Sequence, residues 1–134
     1  MSKEPVISIV DDDAIVREAI RELINSLGYE ALTFASAEHF LESDRVADTS
    51  CLIADLQMPG LNGLDLQDRL LADGYQTPVI FVTAYPKNEA RARALQAGAV
   101  SFLTKPCEEA ALIGSIDLAL KKHREGRSGR PQLL

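Results

Sequence analysis

The sequence predicts an α/β domain, a parallel sheet covered by helices on both faces in a three-layer sandwich. Short strand-like runs alternate with longer helical patterns five times along the 134 residues. The strand-like runs are apolar on both sides, as strands lying beneath two layers of helices must be. Parallel neighbours require crossover connections, and the intervening segments are long enough to supply them in the right-handed sense.

The first run, Val6-Ile7-Ser8-Ile9-Val10, stops at Asp11-Asp12-Asp13. Val16, Ala19, Ile20, Leu23, Ile24 and Leu27 then recur at three- and four-residue steps, the apolar stripe of a helix. Asp13 is placed to cap that helix and Gly28 to end it. Tyr29 to Phe34 reads as the second strand, and Ser36 as the N-cap of a short helix through Phe40 and Leu41. Cys51-Leu52-Ile53-Ala54-Asp55 is a third strand, apolar until its last residue. Met58-Pro59-Gly60 and Asn62-Gly63 are loop chemistry, and Leu64, Leu70 and Leu71 mark the third helix.

Pro78-Val79-Ile80-Phe81-Val82 is the fourth strand, ending at Thr83. The helix after it, from about Pro86 to Ala97, is rich in Ala and Arg with a weak apolar stripe, so shallow packing is expected. Gly98 stops it, Val100 to Thr104 forms the fifth strand, and Lys105-Pro106 leads to a last helix carrying Leu112, Ile116, Ala119 and Leu120. Past Arg124 the composition becomes that of a linker, which divides the chain into a domain at 1–124 and a linker-like or disordered tail at 125–134.

Composition narrows the function. Aromatics are 5% of residues and Trp is absent, which favours an aliphatic core over an aromatic binding platform. A net charge of -6 argues against nucleic-acid binding by this fragment, because such binding needs clustered positive charge. The two cysteines form neither a disulfide framework nor a metal pair, and the N-terminus reaches acidic residues too soon for a signal peptide. No apolar run approaches the ~18 residues that cross a bilayer, so a cytoplasmic protein without a membrane partner is expected.

Ligands of open α/β sheets bind beyond the carboxyl ends of the strands. Strand one ends in Asp11 and Asp12, strand three in Asp55, strand four in Thr83, and strand five runs into Lys105. Separately these are a capping cluster, a turn residue, a β-branched strand residue and a surface lysine; together they mark one edge. Clustered carboxylates repel unless a cation balances them, and oxygen-only ligands beside a prospective phosphate suit Mg²⁺. Asp55 is then a nucleophile toward phosphorus, with Lys105 supplying charge and the Thr83 hydroxyl an oriented contact.

The stretches Ile9-Val10-Asp11-Asp12-Asp13, Ala54 to Gly63, Val82-Thr83-Ala84 and Ala97 to Pro106 resemble the receiver domains of two-component response regulators. The resemblance covers about Pro5 to Arg124, and Ser36-Ala37-Glu38-His39-Phe40-Leu41 is similar to the FixJ-type branch. It implies a (βα)5 doubly wound, flavodoxin-like fold with five strands in the order 2-1-3-4-5. It further implies that Asp55 is the phosphoacceptor, that Asp12 binds Mg²⁺ directly and Asp11 largely through water, and that the Gln57 backbone carbonyl completes the protein ligands. Thr83 and Lys105 would contact phosphoryl oxygens, Phe102 would be the switch aromatic that moves with Thr83, and Lys105-Pro106 would be a cis peptide.

The implied function is a switch that takes a phosphoryl group from a sensor histidine kinase or phosphotransfer protein and changes protein–protein contacts, not a turnover enzyme. A small Mg²⁺-dependent phosphohydrolase is the competing reading. Such enzymes place a second Asp two residues after the nucleophile, where this chain has Gln57, which cannot protonate a leaving group. A degenerate receiver acting through contacts alone would not need the intact acidic set. Two departures from the family stand out: Cys107 where many relatives have Phe, and a bulky Tyr85 two residues past Thr83, expected to slow water attack on the acyl phosphate. Helix 4, strand 5 and helix 5, with Lys87, Arg91 and Arg93, form the expected homodimer or partner face.

Overall fold

The strands that read as wholly apolar occupy the middle of the sheet. In the computed structural model, which describes residues 4–128 (side chains of 126–128 excepted), β1 (Val6–Val10), β3 (Cys51–Ala54) and β4 (Val79–Thr83) are buried along their whole length. The edges are taken by β2 (Glu30–Phe34) and β5 (Ser101–Thr104), whose side chains are mostly half-exposed. All pairings are parallel and the order is β2-β1-β3-β4-β5. This is the expected (βα)5 doubly wound sheet.

Strand side chains alternate between faces, and the core divides accordingly. Leu52, Ala54 and Phe81 pack with Phe40 of α2 (Ala37–Glu42), Leu66 and Leu70 of α3 (Gly63–Ala72) and Ala94 of α4 (Asn88–Gln96). Cys51, Ile53 and Ile80 face the other way, onto Ile20 and Ile24 of α1 (Ala14–Ser26) and Leu112 and Ile116 of α5 (Glu109–Ser128). Three helices on one face and two on the other complete the sandwich. Between β1 and β3 the winding reverses, which opens a crevice at the carboxyl ends of those two strands.

Local chemistry sets the helix ends. The Asp13 side chain accepts from the amides of Ile15 and Val16, and Ser36 from that of His39. α3 opens with a reciprocal capping box between Asn62 and Asp65. As expected, α4 is shallow: Ala94 is its buried residue, and its N-cap, Lys87, supplies no side-chain bond. Among the described residues no helix is long and apolar enough to cross a membrane.

Several boundaries differ from expectation: β3 ends at Ala54 and not Asp55, β4 begins at Val79 and not Pro78, and α4 runs Asn88–Gln96 where Pro86 to Ala97 was expected. β2 begins at Glu30 because the Tyr29 amide is used by the Ile24 carbonyl at the end of α1. β5 begins at Ser101, although the Val100 amide already donates to Val79. α5 runs through Ser128, so residues 125–128 of the expected tail are helical; the Lys121 to Glu125 stretch holds good helix formers that propagate a turn already begun. Residues 129–134 of that tail lie outside the described residues.

Cys51 is fully buried, and burial pushes its thiol up to about 12. The native chain is therefore expected to leave Cys51 unalkylated by iodoacetamide at pH 8, with full reaction after denaturation, as read by peptide mass. Labelling of Cys51 in the native state would mean that the β-sheet core opens readily.

Candidate functional site

Parallel winding brings every strand's carboxyl end to the same edge, so residues far apart in the chain meet there. Asp11 follows β1, its amide tied to the Phe34 carbonyl of β2 at 3.2 Å. Asp55 follows β3, its amide tied to the Val10 carbonyl at 3.0 Å. Each carboxylate is fixed by a backbone donor: Asp11 Oδ1 accepts from the Asp13 amide at 2.9 Å and Asp55 Oδ1 from the Gln57 amide at 3.1 Å. Asp11 and Asp55 are buried, whereas Asp12 is exposed. Carboxylate oxygens of Asp11, Asp12 and Asp55 lie within 4.8 Å of one another.

Lys105 crosses to this cluster from the end of β5. Its Nζ donates to Asp11 Oδ2 at 2.8 Å and to Asp55 Oδ2 at 3.0 Å. Its amide donates to the Thr83 carbonyl at 2.7 Å, and the Lys105–Pro106 peptide is cis. Burial alone would lower the ammonium's pKa, but the two carboxylates outweigh it and hold the lysine above its usual range. The Asp11 carboxyl is raised, because burial outweighs the help of Lys105 and the Asp13 amide. One ammonium against three carboxylates leaves the crevice short of positive charge.

Thr83 is fully buried, and its Oγ1 accepts from the Tyr85 amide at 3.2 Å. β3 and β4 pair Ala54 with Phe81, so Asp55 and Thr83 sit one and two positions beyond that pair on adjoining strands. Phe102 is half-buried on the edge strand, its ring 6.3 Å from that of Phe81. Gln57 is exposed in the β3–α3 loop, and Tyr85 is 65% exposed beyond β4. The structure thus gathers Asp11, Asp12, Asp55 and Lys105 directly and sets Thr83 beside them.

Two contacts at this edge escaped the sequence reading. Arg17 Nη1 donates to the Asp11 carbonyl at 2.7 Å, tying α1 to the acidic loop. Glu38 Oε2 accepts from the Leu61 amide at 3.0 Å, tying α2 to the β3–α3 loop. Both partners are backbone groups, which have no residue type to read; Glu38 looks like an ordinary acid in a first helical turn.

The Response regulator receiver domain family matches residues 7–117. The chain belongs to this family. As a receiver domain it is 40% identical over 131 residues to the response regulator protein TmoT of Ectopseudomonas mendocina, covering 98% of this chain and 60% of TmoT. The transcriptional regulatory protein FixJ of Azorhizobium caulinodans is 34% identical over 119 residues, 89% of this chain and 56% of FixJ. The solved structure of the response regulator StyR superposes with a TM-score of 0.89 at 41% identity, over 96% of this chain and 65% of that one. The receiver domain spans little more than half the length of the curated relatives it matches. Receiver domains take Mg²⁺ at an acidic pocket, and the donors here suit it: all are oxygens, two carboxylates are pre-oriented by backbone amides, and the local charge is under-compensated.

Proposed function

We propose that this receiver domain accepts a phosphoryl group on Asp55 and uses it to switch protein contacts. The convergence of Asp11, Asp12 and Asp55 within 4.8 Å, with Lys105 bridging two of them, carries the reading. A carboxylate oxygen of Asp55 attacks phosphorus, the bond from phosphorus to the donor's leaving group breaks, and the leaving group keeps the electron pair. Where the donor is a phosphohistidine of a sensor kinase or phosphotransfer protein, that leaving group is the imidazole nitrogen. Asp11, Asp12, Asp55 and the Gln57 carbonyl would hold Mg²⁺, which when bound neutralises charge on the phosphoryl oxygens.

Lys105 then exchanges a carboxylate oxygen for a phosphoryl oxygen, and the Thr83 hydroxyl turns toward the same group. Movement of Thr83 leaves room on β4 that Phe102, half-buried on β5, can follow into. The two arrangements differ by a few contacts, so phosphorylation acts as a shift between states. Gln57, which stands where a hydrolase would have an acid/base, favours a switch over a turnover enzyme, and the switch would work in the cytoplasm.

Incubation with Mg²⁺ and acetyl phosphate tests this. The expected result is one phosphoryl adduct by intact mass, mapped to the peptide that contains Asp55 and absent when EDTA is added. Rapid release of inorganic phosphate without an adduct would overturn it in favour of a hydrolase. Tyr85→Ala is expected to shorten the adduct's lifetime about fivefold, on the order of 1 kcal/mol of barrier, by opening the phosphoryl group to water. An unchanged decay rate would remove Tyr85 from the control of lifetime.

Association on phosphorylation is proposed through α4, β5 and α5. Leu95 and Leu118 are exposed on the two helices, and Lys87 and Arg91 are exposed on the α4 side. Arg93 is already paired with Asp68 of α3 at 2.5 Å, which leaves Arg91 as the freer contact. Both partners of that pair are largely exposed, so it adds little to stability.

A further inference from the structure

The Ser36-Ala37-Glu38-His39-Phe40-Leu41 segment contributes no ligand to the acidic cluster, yet one of its side chains grips the loop that does. We propose that Glu38 is a positioning residue for the cation site: by holding the Leu61 amide it fixes the β3–α3 loop so that the Gln57 carbonyl stays at the metal. This inference rests on the reading of Asp55, Mg²⁺ and the Gln57 carbonyl given above.

The loop from Leu56 to Gly63 is closed at its base by the Gly63 amide on the Leu56 carbonyl at 3.0 Å. Its first turn is held by the Gln57 amide on Asp55, and its far end by the Asn62–Asp65 capping box. Among the described residues, the bond from Leu61 to Glu38 is the hydrogen bond that ties the middle of this loop to another element. Gln57, Pro59 and Gly60 are exposed, and Pro59 has no amide hydrogen to donate, so packing holds this stretch mainly through Met58.

Gly60 shows how closely the loop and the carboxylate fit. It adopts φ +77°, and a Cβ there would overlap Glu38 Oε2 and lie 3.2 Å from Cδ. Only a residue without a side chain lets the backbone lie on the carboxylate in this way. The other end of the strap is rigid, because Ala37 and Phe40 are fully buried and the Phe40 ring packs edge-on against Phe34 at 5.2 Å. The Leu61 amide also holds the Glu38 carboxyl below the usual carboxylate range, so it remains a charged acceptor at neutral pH.

If Glu38 merely complemented the dipole of α2, it would act on helix stability and leave the cation site alone. Partners that orient a ligand, in contrast, set metal affinity, typically by about tenfold or more. The experiment is a Mg²⁺ titration of the wild-type chain, Glu38→Ala, Glu38→Gln and Glu38→Asp by calorimetry without phosphodonor, repeated as the Mg²⁺ dependence of acetyl phosphate labelling. Glu38→Ala is expected to weaken Mg²⁺ about tenfold, to speed amide exchange at Leu61, and to leave the labelling rate at saturating Mg²⁺ unchanged. Glu38→Gln keeps an acceptor oxygen at the same reach and is expected to recover most of the affinity.

Glu38→Asp keeps the charge at the start of α2 but is one methylene short of Leu61, so it should behave like Glu38→Ala and stands in for it if the alanine variant does not fold. Unchanged Mg²⁺ affinity in Glu38→Ala or Glu38→Asp, or a Gln variant no better than alanine, would overturn the proposal. A wild-type chain that binds Mg²⁺ but takes no label would sink the phosphoacceptor reading alone, since the affinities would still decide the role of Glu38.

Discussion

An Asp55→Asn variant is expected to take no phosphoryl label from acetyl phosphate under conditions that label the wild-type chain. The amide is nearly the same shape as the carboxylate, and its oxygen can still accept from the Gln57 amide, so the turn after β3 keeps its bond. Lys105 retains Asp11 at 2.8 Å, and the repulsion among three carboxylates falls to that between two. The fold should therefore survive, with an unfolding midpoint close to that of the wild type. Loss of the nucleophile removes the covalent step outright, and loss of one of three carboxylates should weaken Mg²⁺ by about tenfold or more. Intact mass, calorimetry and thermal unfolding check the three parts separately. Label persisting in a folded Asp55→Asn variant would transfer the acceptor role to Asp11 or Asp12.

Gly63→Ala is expected to cost about 3 kcal/mol of stability and to blunt labelling as well. Alanine is ordinarily the better residue in a helix by up to about 1 kcal/mol, and Gly63 begins α3 without a positive φ, so local preference alone predicts a gain. The tertiary neighbours reverse the sign. A Cβ at Gly63 would lie 2.5 Å from the Asp55 carbonyl oxygen, 2.9 Å from Cε1 of the buried Phe81 and 3.1 Å from the Leu56 Cα. Two of those atoms are backbone and the third belongs to a ring in the core, so none can step aside at little cost. Relief must come from moving α3 off the sheet or shifting the peptide that carries Asp55. Urea unfolding should show a lower midpoint with an unchanged slope, and acetyl phosphate labelling should slow in step. A variant as stable as the wild type would mean that α3 sits more loosely on β3 than these distances indicate.

The two variants separate what is legible in a chain from what is not. Asp55 stands out because a charged residue ends an apolar run, and because βα winding must bring every such strand end to one edge. That topological rule links Asp11, Asp12, Asp55, Thr83 and Lys105 without any knowledge of their distances. Asp13 and Ser36 were readable as caps for a related reason, since a cap acts within three residues of itself. The shallow seat of α4 followed from its Ala and Arg composition. Gly63, by contrast, reads as loop chemistry beside Asn62, and nothing nearby in the chain says that Phe81 lies under it.

By itself, then, the sequence determined the alternation of strands and helices, the three layers, and the set of side chains that share the acidic edge. Those features depend on periodicity and on short-range hydrogen bonding, both of which are written in consecutive residues. Tertiary structure alone decided that Arg17 holds the Asp11 carbonyl and that Glu38 holds the Leu61 amide 23 residues further along. In both a backbone N–H or C=O takes a partner that only the folded chain brings within reach. Every residue but proline carries both groups, so no pattern of side chains can announce which ones will be used.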